Sequence, residues 1–266
     1  MGAALSASAI AHTLALAWPG ECRVEAVATT TSTNEDVAAR ARAQQPAIRI
    51  LRAADFQIGG RGRQNRRWHA APGDALLFST AIPLAGASPS LPAITLACGV
   101  ALAECLQEHG VAVQLKWPND IRVEGRKLGG ILTELVSDRN ARHTLVTGVG
   151  INLHLDDAVR RSIEQPAVAL DQLLTPAALQ SREQWIGRLG GAIFGAAERF
   201  GQLGFDHFRE RFNLLLESRG EMVDVDGEGV APISGRVIEV DRHGRLILET
   251  DGRRHAVSVG DVSVRL

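Results

Sequence analysis

The sequence predicts an α+β chain closed by a small all-β unit, and three observations carry that reading. Between Val24 and Leu153, runs with strand character, among them Val24 to Thr30 and His143 to Leu153, alternate with segments of helical spacing such as Leu91 to His109. From Pro176 to Glu217 the pattern is helical. Past Ser218, Arg219 and Gly220 it becomes short strands punctuated by turns, with a strong hairpin signal at Asp251-Gly252. We therefore divide the 266 residues into a larger domain, 1–219, and a smaller one, 220–266, whose five short strands predict an SH3-like β-barrel.

Residues 1 to 17 read as a short amphipathic helix stopped by Pro19 and Gly20. Val24 to Thr30 reads as a strand. Ser32 and Glu35 then stand at capping-box spacing before a helix from Asn34 to Ala43. The polar run from Thr31 to Asn34 is thus explained locally as a helix start, and a binding role stands beside that explanation. Pro46 ends the helix, and Ala47 to Phe56 reads as a buried strand. Ala75 to Ile82 is a further strand, and Leu91 to His109 a helix with Leu96, Val100, Leu102 and Leu106 at core spacing. Val111 to Trp117 alternates as a strand and ends at Pro118, which forces a turn at Asn119 and Asp120. Ile121 to Val123 and Arg126 to Val136 pair as a hairpin. His143 to Leu153 is the next strand; residues 156 to 170 are irregular. A long helix is expected from Pro176, capped by Thr175, to Leu203, and a shorter one from Asp206 to Glu217. The barrel strands are Glu221 to Asp226, Ile233 to Val240, Arg245 to Thr250, Arg254 to Val259 and Val262 to Leu266.

Composition narrows the function. A formal net charge of −1 gives no general affinity for nucleic acid, so basic character matters only where it is local. The N-terminal stretch lacks the positive start of a signal peptide and is too polar to span a membrane. Three cysteines, Cys22, Cys98 and Cys105, show no CxxC pair and no partnering His at metal spacing, which fits reduced thiols in the cytoplasm.

Local basic character is concentrated in Gly59 to Trp68, GGRGRQNRRW, where Arg61, Arg63, Arg66 and Arg67 sit among glycines and polar residues with no acid. Glycine lets a ligand approach the backbone, and guanidinium forks match phosphate or carboxylate oxygens two at a time. A nucleic-acid-binding tail or an ordinary solvated loop is the plainer reading of this stretch alone. Two later stretches favour a small anionic ligand: Lys116-Trp117-Pro118-Asn119-Asp120 and Gly125-Arg126-Lys127-Leu128-Gly129-Gly130. Singly, each is a solvated strand end or hairpin. Together they supply fixed cations, a carboxylate suited to Mg²⁺ and backbone access, an inventory that suits nucleotidyl transfer.

The order SerThrAsn, Gln with GRGRxxRxW, KWPND, GRKLGGIL and GxGIN, followed by a small β unit, resembles the biotin–protein ligases from about residue 24 to the chain's end. The resemblance implies a mixed sheet backed by helices, related to class II aminoacyl-tRNA synthetases, with biotin over the sheet and an adenylate under the glycine-rich loop. It implies a two-step reaction in which biotin and Mg·ATP give biotinyl-5′-adenylate, whose acyl group passes to a lysine of a biotin carboxyl carrier protein domain. No tightly bound prosthetic group is expected. The family pattern puts Ser32, Thr33, Asn34, Gln57, Gly60, Arg61, Gly129 and Gly130 against biotin, and Lys127 and Arg63 in catalysis. Arg61, Arg63, Trp68, Lys116, Asn119, Asp120, Asn152 and Arg265 fall on the nucleotide, with Asp120 also the candidate for Mg²⁺. Only about 23 residues precede the first strand, so the monofunctional type without a DNA-binding domain is expected. Relatives pair through sheet edges, which allows a homodimer. One departure is Asn65, where the family usually has glycine; asparagine tolerates the left-handed backbone that glycine would supply.

Two rivals remain. Lipoate or octanoate ligases and transferases share the fold, but an octanoyltransferase needs an acyl-accepting cysteine, and all three cysteines lie outside the motifs. A non-enzymatic biotin-sensing regulator is disfavoured by the absent helix-turn-helix and the near-neutral charge.

Overall fold

A computed structural model describes residues 4–43, 48–84, 90–156, 159–160, 165–227, 230–258 and 261–264. Its centre is a seven-stranded mixed sheet in the order β1-β2-β3-β7-β6-β5-β4. The strands are β1 (Cys22–Thr30), β2 (Arg49–Gln57), β3 (Ala75–Pro83), β4 (Gln114–Lys116), β5 (Asp120–Val123), β6 (Arg126–Ser137) and β7 (His143–Asn152). The pair β1 and β2 is parallel and the remaining pairs are antiparallel.

The sheet's two faces are filled differently because side chains alternate along each strand. Leu76 and Phe78 of β3 and Val149 and Ile151 of β7 join the main core. That core also takes residues from α1 (Ala7–Ala17), α3 (Leu91–Glu108), α4 (Arg182–Leu203) and α5 (Asp206–Leu215). A Cβ on Gly187 would lie 2.7 Å from Thr13 Cβ, and one on Gly191 2.8 Å from Ala17 Cβ, so glycines on one stripe of α4 let α1 approach closely. Among the described residues, α2 (Thr33–Arg42) is the helix packed on the other face, over a small cluster of Val37, Ala38, Ile50, Ala81, Val136 and Val146. Beyond α2 this face is open, and the polar and glycine positions of the strands look into that space.

A charge network seats α2. Asp36 Oδ2 accepts hydrogen bonds from Thr30 Oγ1 at 2.8 Å and from Arg52 Nε at 2.6 Å, and Arg52 also reaches Glu25 at 2.8 Å. Burial works against the Glu25 charge, yet Arg40 and Arg52 hold its carboxyl below the ordinary range.

The C-terminal residues form a second, antiparallel sheet in the order β11-β10-β9-β8-β12. Its strands are β8 (Met222–Gly227), β9 (Val230–Val240), β10 (Leu246–Thr250), β11 (Arg253–Val257) and β12 (Asp261–Val264). Among the described residues its pairing does not close into a barrel, which coarsens the expected SH3-like barrel to a five-stranded sheet. It is fastened to the larger unit by Trp117 Nε1, which donates to Gly244 O at 3.1 Å, and by Asn213 Nδ2, which donates to Val240 O at 3.0 Å.

Three local expectations change. The run Val111 to Trp117 contains only the short strand β4, with Val111 and Val113 buried without ladder pairing. The long helix begins at Arg182, not Pro176. Residues 176–178 make a single turn on Thr175, and the cap is a reciprocal box in which Ser181 Oγ accepts from Gln184 N at 3.2 Å and Gln184 Oε1 accepts from Ser181 N at 3.0 Å. Ser32 caps α2 through Glu35 N at 3.5 Å, but no box forms because the Glu35 carboxylate pairs with Arg61. The start of the second strand at Ala47 and the C-terminal Arg265 lie outside the described residues.

Candidate functional site

On the open face of the large sheet lies a cavity of about 680 Å³. Its floor is the alternate set on the central strands: Leu77 and Ser79 of β3, Gly148, Gly150 and Asn152 of β7, and Gly130 and Leu132 of β6. The N-terminus of α2 walls one end, the arginine loop crosses over, and Lys116, Asn119, Asp120 and Lys127 close the other end.

The α2 end is a buried polar network. Gln57 Oε1 accepts from Thr33 N at 2.7 Å and from Thr33 Oγ1 at 3.1 Å, and Thr33 Oγ1 lies 2.6 Å from Ser79 Oγ. Ser79 Oγ donates to Asn34 Oδ1 at 2.6 Å, while Asn34 Nδ2 donates to Glu134 at 2.9 Å. Gly148 is what admits Asn34: a Cβ there would lie 2.2 Å from Asn34 Oδ1. These fixed donors and acceptors suit an uncharged polar ring that needs several hydrogen bonds at once.

At the opposite end Lys127 Nζ stands 2.7 Å from Asp120 Oδ1, each side chain mostly shielded from solvent. Gly130 lies beside this pair, where a Cβ would stand in ordinary contact with Lys127 Cε at 3.5 Å and Asp120 Oδ1 at 3.6 Å. Lys127 is held from behind by the segment after β7: its N–H donates to Pro166 O at 2.8 Å, and its carbonyl accepts from Val168 N at 3.0 Å. Asn119 Nδ2 donates to Ile131 O at 2.8 Å, fixing the turn that carries Asp120. Burial, then the nearby Arg122 charge, push the Lys116 ammonium below its ordinary pKa.

The loop between these ends is tied to its surroundings. Trp68 N donates to Gly60 O at 2.9 Å and Gly62 N to Arg66 O at 2.8 Å, and the Arg61 guanidinium meets Glu35 of α2. Trp68 packs over Gly150, where a Cβ would come within 2.8 Å of the indole, and its buried Nε1 has no hydrogen-bond partner among the described residues. The left-handed residue of the loop is Gln64 (φ 53°, ψ 33°), one position before Asn65.

The cavity gathers most of the residues expected from sequence: Ser32, Thr33, Asn34, Gln57, Arg61, Arg63, Trp68, Lys116, Asn119, Asp120, Lys127, Gly130 and Asn152. Two depart. Gly60 lies beneath the loop beside Gln57 and Trp68 and does not line the cavity, and Gly129 is required by strand pairing, since its Cβ would come within 2.7 Å of Gly150 O. The Asn152 amide donates to Lys127 O at 3.3 Å and Val168 O at 3.1 Å, so it also braces the hairpin. Sequence reasoning missed Ser79, Gly148, Gly150, Gln165 and Ala167, all on the lining. A lone Ser inside an apolar strand and the glycines of GxGIN were the signals for the first three. Nothing in the irregular stretch pointed to the last two.

Sheet, glycine floor and arginine loop define a site of the class that holds an extended ligand flat on a mixed sheet, with a neutral polar end and an anionic end. Comparison with known proteins narrows that class. A family model described as "Biotin/lipoate A/B protein ligase family" matches residues 26–152, and one described as "Biotin protein ligase C terminal domain" matches residues 220–265. A Mycobacterium tuberculosis protein named biotin--[acetyl-CoA-carboxylase] ligase is 30% identical over 247 residues, covering 90% of this chain and 88% of that protein. The bifunctional ligase/repressor BirA of Salmonella typhimurium is 29% identical over 80% of this chain, and the match spans 65% of the length of that relative. A biotin protein ligase from Aquifex aeolicus, solved in complex with biotin and ATP, shares the fold with a TM-score of 0.74 at 24% identity, over 90% of this chain and 97% of that one. The chain belongs to the biotin/lipoate A/B protein ligase family.

Proposed function

We propose that this protein joins biotin to a lysine of a biotin carboxyl carrier protein domain, using Mg·ATP and passing through biotinyl-5′-adenylate. The observation that carries the reading is the pairing of a neutral polar network at Thr33, Asn34, Gln57 and Ser79 with a lysine and arginine end in one cavity. Biotin has the matching shape, a ureido ring with donors and acceptors at one end and a carboxylate at the other. The ring takes the α2 end, with Ser32 at its edge, and the carboxylate points toward Lys127.

Bringing that carboxylate to the α-phosphate opposes two negative charges, at a cost of about 4 kcal/mol for a unit pair at 4 Å with an effective dielectric near 20. The Lys127 ammonium, joined by Arg63, offsets it where the two groups meet. Arg61 exchanges Glu35 for the ligand's anionic groups as the loop settles. Trp68, Lys116, Asn119 and Asn152 attend the nucleotide, and Arg265 is carried as a further nucleotide contact. Asp120 is the candidate ligand for the Mg²⁺ that arrives with ATP. One carboxylate suits this ion, which keeps phosphate oxygens and waters as most of its shell, and the described residues hold no cluster of three or more His, Cys, Asp or Glu. In the second step the carrier lysine attacks the acyl carbon and AMP leaves.

The rival cysteine-dependent transfer is poorly supported, since none of Cys22, Cys98 and Cys105 lines the cavity and burial raises all three thiols. No helix among the described residues is long and apolar enough to cross a membrane. We place the protein in the cytoplasm, where its substrates meet, with a domain boundary at residues 219 and 220 and an SH3-like C-terminal β unit. The test is transfer of labelled biotin to a purified carrier domain. Incorporation at one carrier lysine, lost without ATP or Mg²⁺, is the expected result; no incorporation under any condition would refute the reading.

A further inference from the structure

The basic residues of this chain are unevenly chosen. Of 29 lysines and arginines, 27 are arginine, and the two lysines are Lys116 and Lys127. Among the described residues, six basic side chains line the cavity, Arg61, Arg63, Arg66, Arg67, Lys116 and Lys127, so both lysines fall within that set. Elsewhere, exposed cationic positions such as Arg23, Arg139 and Arg253 carry guanidinium.

Charge and solubility do not require this choice, because either residue supplies a positive charge. Reactivity separates them. An acyl-adenylate is a mixed anhydride: an amine lone pair attacks the acyl carbon, the acyl–oxygen bond breaks, AMP departs with the electron pair, and the nitrogen loses a proton to solvent as the amide forms. At about pH 8 a surface lysine, with a pKa near 10.4, exposes free amine in roughly one molecule in 250, while a guanidinium exposes a neutral nitrogen about 100-fold less often or rarer still. An enzyme that releases an acyl-adenylate next to its own surface is therefore its own nearest acceptor if that surface carries lysine.

We propose that the lysine-free surface protects this chain from acylation by its own intermediate, leaving the carrier lysine as the amine acceptor that the adenylate meets outside the cavity. The proposal rests on the adenylate-forming reading above. It concerns the exterior, which that reading leaves unexplained, and it predicts what happens when the exterior is changed.

The experiment introduces single lysines at exposed arginines outside the cavity lining, Arg23→Lys, Arg139→Lys and Arg253→Lys. Wild type and variants are incubated without carrier, in one arm with biotin and Mg·ATP and in a second with synthetic biotinyl-5′-adenylate, and biotinyl groups are mapped by intact mass and peptide analysis. Wild type is expected to gain no surface label in either arm apart from the polypeptide's α-amino group. Each variant is expected to gain label at the new lysine, about 100-fold above the same arginine position in wild type. Added carrier domain should suppress that label in the first arm. Engineered lysines that stay unlabelled in the synthetic-adenylate arm would overturn the proposal. Labelling in that arm, with no pyrophosphate release by wild type in the first, would sustain the surface chemistry and sink the adenylate-forming reading instead.

Discussion

Lys127 Nζ sits 2.7 Å from Asp120 Oδ1, across the β5 and β6 hairpin and beside Gly130. The cation that would join carboxylate to phosphate is thus held in place before any ligand arrives. Lys127→Ala should lower pyrophosphate release with biotin and Mg·ATP on the order of 10²-fold or more. The fold should survive, because the Lys127 backbone keeps its hydrogen bonds to Pro166 and Val168. Near-normal release from a folded variant would remove Lys127 from the chemistry.

Gly148 and Asn34 offer a packing test. A methyl group at residue 148 has no space beside Asn34 Oδ1, so Gly148→Ala should destabilise the protein by about 1–3 kcal/mol and weaken biotin binding by pushing Asn34 off Ser79. Adding Asn34→Ala should restore much of the stability but not the affinity, since the two sites share one space. Additive losses of stability in urea melts would show that residue 148 is not crowded by Asn34.

This pair also marks what the sequence could and could not say. Lys127 and Asp120 were legible because each belongs to a run whose residues are chemically out of place in a loop or strand end, whereas the run holding Asn34 read locally as a helix start and reached the ligand only through the family resemblance. That Gly148 makes room for Asn34, or that 165–168 braces Lys127, depends on which strands become neighbours. The order β3-β7-β6 sets Leu77 beside Gly150, and α2 packed on it brings Asn34 to Glu134, residues far apart in sequence. The same limit explains Gly129, assigned to the ligand on its motif but committed to β7 by pairing, and α4, whose start at Ser181 was hidden behind an earlier Thr-Pro signal.

Loop closure is the next prediction. The Arg61 and Glu35 pair is nearly half exposed, and such pairs contribute about 0–1 kcal/mol, so a ligand anion can replace it. Trypsin cleavage between Arg61 and Arg67 should be fast in the free protein and slow with biotin plus ATP. Equal rates in both states would mean that the loop does not close on the ligand.

His154 gives a pH signature. Its ring Nδ1 lies 2.5 Å from Asp171 Oδ2, and this hydrogen bond raises the imidazole above its ordinary 6.5. A raised folded-state pKa adds stability that is fully present below about 6.5 and is lost as pH rises through the folded value. The effect is small because His154 is more than half exposed. The melting temperature of His154→Ala should therefore fall further below wild type at pH 6 than at pH 8.5, and an equal difference at both would contradict the pairing.

Thiol chemistry follows from burial. Desolvation pushes Cys22 and Cys98 up to about 12 and Cys105 up to about 11. The thiolate is the reactive form, so none of the three should react rapidly with a disulfide reagent in the native protein, while all three should after unfolding. A fast-reacting native thiol would reopen the cysteine-dependent transfer reaction.

The central claim is that this cavity activates biotin as an adenylate, and pyrophosphate release with each candidate acid tests it most directly. Purified protein with Mg·ATP is given biotin, lipoate or octanoate in separate reactions. A stoichiometric burst of pyrophosphate with biotin, and none with the other two acids, is the predicted result. Release with lipoate or octanoate but not with biotin would contradict the account.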